Sequence, residues 1–216
     1  MLKSLATLVT RPPPIVFDTD YEFPFLQDYS IFKPITIVEI GEVFKGLTDS
    51  APGGDGLSYS ELKAMDPSHT FLLALYNCIL KTGKIPNQWK KCKTILLLKP
   101  GKQSLSNLVN SWRPIALMDT SYRIFSTILN NRLLSWITLG DLISPFQKAL
   151  LAKDGCAEHN HCIRAIDEYC KLHHKDLHMC WIDIQEAFPS LPHELIWFTL
   201  RKMGCNDDFI SLIQNL

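Results

Sequence analysis

The sequence has no apolar run that reaches the ~20 residues a membrane-spanning helix requires, so it offers no bilayer crossing of that kind. It shows no secretion signal and no Cys-x-x-Cys pair, and its seven cysteines are odd in number and irregularly spaced. That usage argues against a disulfide framework. It predicts a reducing compartment, intracellular and nuclear or cytoplasmic, with free and mostly buried thiols. No repeat or low-complexity tract is visible. Acids are missing from Met1 to Arg11, which is compatible with a weak organelle-targeting segment or with a plain lead-in. Apolar residues are not scarce: 46% of the 216 residues are hydrophobic and 20% charged, which excludes a disordered chain and allows a sizeable core.

Net charge is also lacking, since 22 Lys and Arg balance 22 Asp and Glu. The balance hides an asymmetry. From Phe17 to Asp49 the acids Asp18, Asp20, Glu22, Asp28, Glu39, Glu42 and Asp49 face only Lys33 and Lys45. From Lys81 to Arg113 there is no acid at all, against Lys81, Lys84, Lys90, Lys91, Lys93, Lys99, Lys102 and Arg113. A one-sign block inside a folded segment fits a polyanion partner or a solvated basic surface.

The periodicity predicts a helix-rich α+β chain. Residues 1–34 read as an extended N-terminal lead-in. Residues 35–47 carry a helical apolar face, with Thr36 as N-cap. Gly53, Gly54 and Gly56 form a tight loop, suited to close backbone approach or positive φ. Ser58-Tyr-Ser-Glu61 matches a capping box. Residues 67–82 form a second helix with Phe71, Leu72, Leu75, Ile79 and Leu80 inward, stopped at Gly83. Residues 92–98, with Ile95 to Leu98 as a buried run, and residues 112–117 pair as an antiparallel hairpin with a long tip; Pro114 marks an edge. Trp89 and Trp112 read as core packing rather than base-stacking platforms. Asp119 caps a long helix over 121–138, with Arg123, Asn130, Asn131 and Arg132 on its polar side. Further helices follow from Asp154 to Lys171, over 192–203 and over 207–216. Asp207 and Asp208 sit at a helix start, where acids favour the dipole. The last helical pattern is still running at Leu216, which predicts an incomplete domain.

Met179-Cys-Trp-Ile-Asp-Ile184 reads as a buried strand delivering one carboxylate, Asp183, to a turn at Pro189, Ser190 and Pro192. On the residues alone, Asp183 is a strand-end cap or a metal ligand. Cys and His residues at 156, 159, 161, 162, 170, 173 and 174 fall in a helical pattern without a knuckle loop, unlike structural zinc spacings.

Several stretches, in this order, resemble the reverse transcriptases of non-long-terminal-repeat retrotransposons. Pro52-Gly-Gly-Asp-Gly56 resembles the first finger motif, and Trp89-Lys followed by Ile95-Leu-Leu-Leu-Lys-Pro-Gly101 the next block. Trp112-Arg-Pro-Ile-Ala-Leu117, then Tyr122-Arg-Ile-Phe and Arg132-Leu, is similar to the block after that. Ser144-Pro-Phe-Gln-Lys148 and Asp154-Gly-Cys-Ala-Glu158 resemble the link into the palm of the R2-like branch. Ile182-Asp-Ile, Ala187-Phe188 and His193 match the first palm motif.

The resemblance implies a right-hand polymerase: fingers-like residues 35–175, and the beginning of the palm with its first strand in 176–216. It implies an RNA template, a DNA primer, deoxynucleoside triphosphates and two Mg²⁺ ions roughly 3.5–4 Å apart. By it, Asp183 and the Ile184 carbonyl are metal ligands, with Asp183 the catalytic carboxylate. Phe188 lies beneath the incoming sugar and selects against a 2′-hydroxyl. The backbone N–H groups of Glu186 and Ala187 reach the triphosphate, Lys99 and Arg113 hold its phosphates from above, and Arg suits this as a bidentate donor. Lys90, Lys91 and Lys93 contact nucleic-acid phosphates, and Gln147 lies near the template. Three departures accompany it. Pro189 stands where the family has Asp, Ala149-Leu150 replaces Gly-Phe, and no Tyr-x-Asp-Asp follows. With one of the metal-binding carboxylates, the chain is expected to be inactive by itself. The alternatives are a nucleic-acid-binding remnant without catalysis, or an inert decayed fragment.

Overall fold

In a computed structural model the described residues are 29–151, 154–184 and 187–216. The predicted lead-in, residues 1–34, falls largely outside them. The chain is α+β and helix-rich, with one two-stranded antiparallel sheet among the described residues. After a 3₁₀ turn at Tyr29–Phe32 come α1 (Ile37–Lys45), α2 (Tyr59–Met65) and α3 (Thr70–Thr82). The hairpin strands β1 (Lys93–Leu98) and β2 (Trp112–Leu117) lead into α4 (Thr120–Leu139). Then follow α5 (Gly155–Leu172), a single turn α6 (Ala187–Ser190), α7 (His193–Lys202) and α8 (Asp207–Asn215).

Local chemistry sets the helix starts. Thr36 and Glu39 form a complete capping box at α1, and Ser58 and Glu61 another at α2. Asn206 caps α8 through Asp208 and Phe209 N–H, with Asp207 and Asp208 in its first turn. The α3 start differs from expectation. It begins at Thr70, and the side chain of Asp66, buried, accepts from the N–H groups of Phe71 at 3.3 Å and Leu72 at 3.0 Å. Phe71 then faces solvent, and Leu72, Tyr76, Ile79 and Leu80 are the buried positions. Gly83 ends α3 at φ 65°, a left-handed conformation that favours glycine.

The core sits between α1, α3 and α4 and extends to α8. Ile40, Leu72, Ile124, Phe125, Phe209 and Ile210 are all fully buried. Tyr76, Trp89 and Phe125 form an aromatic cluster with centroids 5.1–6.4 Å apart, within the range for favourable ring contacts. Ser121, near the start of α4, satisfies both polar tips: the Tyr76 hydroxyl donates to its carbonyl at 2.8 Å, and the Trp89 indole donates to its hydroxyl at 3.1 Å. Burial pushes the Tyr76 phenol far upward, so it stays protonated.

Five further expectations are corrected. Residues 179–184 are not a strand, and Ile182 is 88% exposed. A strand needs a partner for its ladder, and the described residues pair none with this stretch. Ile95 to Leu98 is not buried; Leu96 is 61% exposed, because no layer of the described residues buries the two-stranded sheet. Arg132, read as polar-side, is buried. Asp119 makes no side-chain cap; its carboxylate accepts from Asp55 N–H at 3.2 Å instead. The thiols are free, but five are exposed and Cys205 alone is buried, since the helix carrying three of them, α5, buries no residue.

Candidate nucleotide and nucleic-acid interface

The hairpin orders two of the predicted phosphate ligands. β1 and β2 pair with Leu97 opposite Arg113 and Leu98 opposite Trp112. The ladder continues one step further, with Lys99 N–H donating to the Ser111 carbonyl at 2.8 Å. Side chains alternate with period two along a strand. Lys93, Ile95, Leu97 and Lys99 therefore share one face with Arg113, Ile115 and Leu117. Lys99 and Arg113 are diagonal neighbours on that face, a relation that spans about 7–8 Å between strands. Arg113 is exposed and Lys99 half-buried. Pro114 sits in mid-strand opposite Leu96, tolerated because each strand of a two-stranded sheet is an edge. The tip is closed by the Trp112 indole donating to the Ser106 carbonyl at 2.8 Å, leaving Trp112 partly buried. Lys90, Lys91 and Lys93 are exposed beside the hairpin, and none is ion-paired with a described residue.

The glycine loop fixes the hairpin's base. A Cβ at Gly53 would lie 2.5 Å from the backbone of Met118 and Asp119, where β2 passes into α4, and Gly56 has φ +72°. The Thr120 hydroxyl donates to the Leu57 carbonyl at 2.5 Å. Arg123 donates to Ser50 at 2.8 Å and to Thr120 at 3.0 Å, with its guanidinium 4.6 Å above the Tyr59 ring. This loop, read as a motif, thus serves to hold the β2–α4 junction.

Among the described residues, no hydrogen bond or ion pair ties the predicted palm and template residues to the hairpin. Asp183 is exposed and makes no hydrogen bond or ion pair with a described residue. Ile184 is exposed beside it. Glu186 lies outside the described residues. Ala187 opens α6, and Phe188 is 86% exposed on it. Gln147 is exposed and donates to the Ala149 carbonyl at 3.1 Å, within its own loop. Its neighbour Lys148 pairs with Glu158. A Cβ at Gly155 would meet Lys148 Cβ at 2.3 Å, so glycine admits this contact. Among the described residues, no three His, Cys, Asp or Glu side chains are grouped to hold a metal ion. The free oxygens of Asp183 are the donor class Mg²⁺ prefers, but one carboxylate does not complete a site.

Residues 97–216 match the reverse transcriptase (RNA-dependent DNA polymerase) family. The chain belongs to the reverse transcriptase family. It is 30% identical over 180 residues to a probable RNA-directed DNA polymerase from transposon BS of Drosophila melanogaster, covering 79% of this chain and 19% of that protein. It is 28% identical over 166 residues to the Pol polyprotein of the type-2 retrotransposable element R2DM of the same species, covering 77% and 15%. It is 29% identical over 174 residues to the RNA-directed DNA polymerase from mobile element jockey of Drosophila funebris, covering 79% and 19%. The resemblance to non-long-terminal-repeat reverse transcriptases is thereby borne out. The chain spans about a fifth or less of the length of these relatives.

Sequence reasoning missed the most elaborate polar site of this reverse transcriptase segment. Arg132 donates from Nε to Glu39 Oε1 at 2.7 Å and from a terminal nitrogen to Oε2 at 3.0 Å. It also donates to the carbonyls of Ile31, Lys33 and Pro34. Burial pushes the Glu39 carboxyl upward, but the Arg132 hydrogen bonds, the Thr36 N–H and the guanidinium charge outweigh it, so the carboxyl lies below its ordinary value. The signal available was the capping-box Glu39 together with one arginine in line with an apolar helix face.

Proposed function

We propose that this chain supplies the fingers and the start of the palm of a retrotransposon RNA-directed DNA polymerase, with residues 35–175 fingers-like and 176–216 opening the palm. The observation that carries the reading is the hairpin register, which gives Lys99 and Arg113 a common face inside a stretch without acids. On this reading Arg113 binds triphosphate oxygens bidentately and Lys99 adds a point charge. The N–H groups of Glu186 and Ala187 complete the triphosphate contacts, and Phe188 packs beneath the sugar and excludes a 2′-hydroxyl. Lys90, Lys91 and Lys93 contact backbone phosphates of the RNA template and DNA primer, and Gln147 lies along the template. An intracellular site of action, nuclear or cytoplasmic, belongs to the same reading.

Asp183 and the Ile184 carbonyl would offer oxygens to one Mg²⁺. The ion, when bound, supplies charge stabilisation at the attacking and leaving oxygens. One carboxylate is too few for a two-ion centre, which supports nucleic-acid binding without catalysis by these 216 residues alone.

The test pairs two measurements on the purified chain. Primer extension on an RNA template with Mg²⁺ and deoxynucleotides is expected to give no product. Single-stranded RNA binding is expected to weaken with salt, log K falling against log salt with a slope of about −0.7 per phosphate contacted. Changing Lys99 and Arg113 to Ala flattens that slope. Salt-insensitive binding, or a slope unaffected by the two changes, overturns the reading of the hairpin.

A further inference from the structure

The stretch from α5 to α6 leaves a run of apolar side chains in solvent. No residue of α5 is buried, and its Tyr169 and Leu172 are more than half exposed. Met179, Trp181, Ile182 and Ile184 are exposed in turn, Trp181 at 76%, and Phe188 follows on α6. Large exposed apolar patches mark interaction surfaces. A whole aromatic side chain offers about 150–250 Å² and an aliphatic one roughly 60–120 Å². Weighted by their exposure, these residues offer on the order of 500–800 Å² together. A standard interface takes about 800 Å² from each partner.

Met179 to Ile184 has the composition of a strand and no ladder partner among the described residues. Unpaired backbone of this kind acts as an open sheet edge, a template for a second chain. The stretch is also self-complementary. Antiparallel pairing of two copies about Trp181 sets Trp181 opposite Trp181, Cys180 opposite Ile182 and Met179 opposite Asp183. Apolar then meets apolar at the centre, where cross-strand pairs stabilise a ladder. Asp183 is the only charge in the stretch. Its two copies stand four positions apart along the ladder, roughly 14 Å, beyond the ~8 Å over which exposed charges act at physiological salt. The hairpin edge lacks this match: two copies of β1 paired about Leu96 would set Lys93 against Lys99, and like charges directly opposite are destabilising. The chain's net charge of zero leaves no long-range repulsion between copies.

We propose that Met179–Ile184 pairs with its counterpart in a second copy of this chain, forming a two-fold dimer whose interface extends over the exposed side chains of α5 and α6. The two-fold uses both open edges at once, so assembly closes at two copies. Asp183 is then held on the shared ladder, opposite the partner's Met179.

The association needs neither nucleotide nor nucleic acid, so it is measured in their absence on the full 216-residue chain. Sedimentation equilibrium at tens of micromolar is expected to give twice the 24.6 kDa chain mass. Ile182→Lys, which buries an unpaired charge in the ladder, should weaken association at least tenfold. Ile182 is exposed in the single chain, so the change leaves the core intact, as circular dichroism will verify. Val38→Lys, at another exposed apolar position, should leave the dimer unchanged. The photocrosslinker p-benzoylphenylalanine replacing Trp181, one aromatic for another, locates the contact in mixtures of isotopically heavy and light chains. Heavy-to-light crosslinks are expected at residues 179–183 of the other copy. A monomer at that concentration, open-ended oligomers, a dimer that Ile182→Lys leaves as tight as Val38→Lys does, or crosslinks confined to other segments would each overturn the proposal.

Discussion

Arg132 and Glu39, 93 positions apart, meet as a bidentate ion pair beneath the N-terminal turn of the described chain. The same guanidinium holds three consecutive-region carbonyls, and the same carboxylate completes the α1 capping box. One pair therefore fixes three things: the start of α1, its packing on α4, and the course of residues 31–34.

Arg132→Ala strips a buried carboxylate partner and three carbonyl partners at once. Removing one side of a buried pair costs about 3–5 kcal/mol, so urea unfolding should show a free energy of unfolding lowered by that amount, through a lower midpoint at unchanged slope. The double change Arg132→Met with Glu39→Leu should cost less than the sum of the single changes, as a coupled pair requires. Strict additivity would show that the pair is not coupled.

Acid stability follows from the same carboxyl. Glu39 has its folded-state pKa below the ordinary glutamate value of 4.5. Its contribution is present above that value and is lost as pH falls through the lower folded value. Glu61, hydrogen-bonded to Ser58, shifts in the same direction from the same ordinary value, and Asp49, hydrogen-bonded to Ser60, shifts downward from 3.8 and acts at lower pH. Thermal melts are expected to hold steady near neutrality and to fall below about pH 4.5, with Glu39→Gln giving a shallower fall. An equal fall in that variant would remove Glu39 from the account.

Gly53→Ala places a methyl 2.5 Å from the Met118 and Asp119 backbone, which no side-chain rotation relieves. A loss of about 1–3 kcal/mol is expected from overpacking. Gly46→Ala is the comparator, because its new Cβ would sit 3.9 Å from the nearest carbonyl. If both variants melt together with the parent, the loop does not clamp the β2–α4 junction.

The cysteines should separate kinetically. Burial is the main reason the Cys205 thiol is pushed up to about 11, and the thiolate is the reacting species. At pH 8 the exposed Cys78, Cys92, Cys156, Cys162 and Cys180 are expected to react with a maleimide quickly. Cys205 should react only in denaturant, as peptide mapping will show. Rapid native-state labelling at Cys205 would contradict its place in the core.

Much of the site's list was legible in the linear chain because it rests on short-range order. Capping boxes, the Gly83 stop, the hairpin's paired apolar runs and the ordered motifs are all set by spacings of a few residues. The acid-free stretch from Lys81 to Arg113 needs only counting. Burial was less legible. Ile95 to Leu98 has the composition of a buried strand yet is exposed, and Met179 to Ile184 has that composition yet forms no strand. Composition states what a segment could bury, and only neighbouring elements supply the layer and the ladder partner.

The sequence by itself determined the family, the helix starts and the identity of the charged hairpin, since each is encoded by residue type at fixed short spacing. The tertiary structure alone decided that Lys99 and Arg113 share a face, that Asp119 serves the glycine loop rather than its own helix, and that Arg132 is buried. These depend on strand register and on contacts across 64 and 93 positions. At such separations the partner is chosen by how the whole core closes, not by any local pattern.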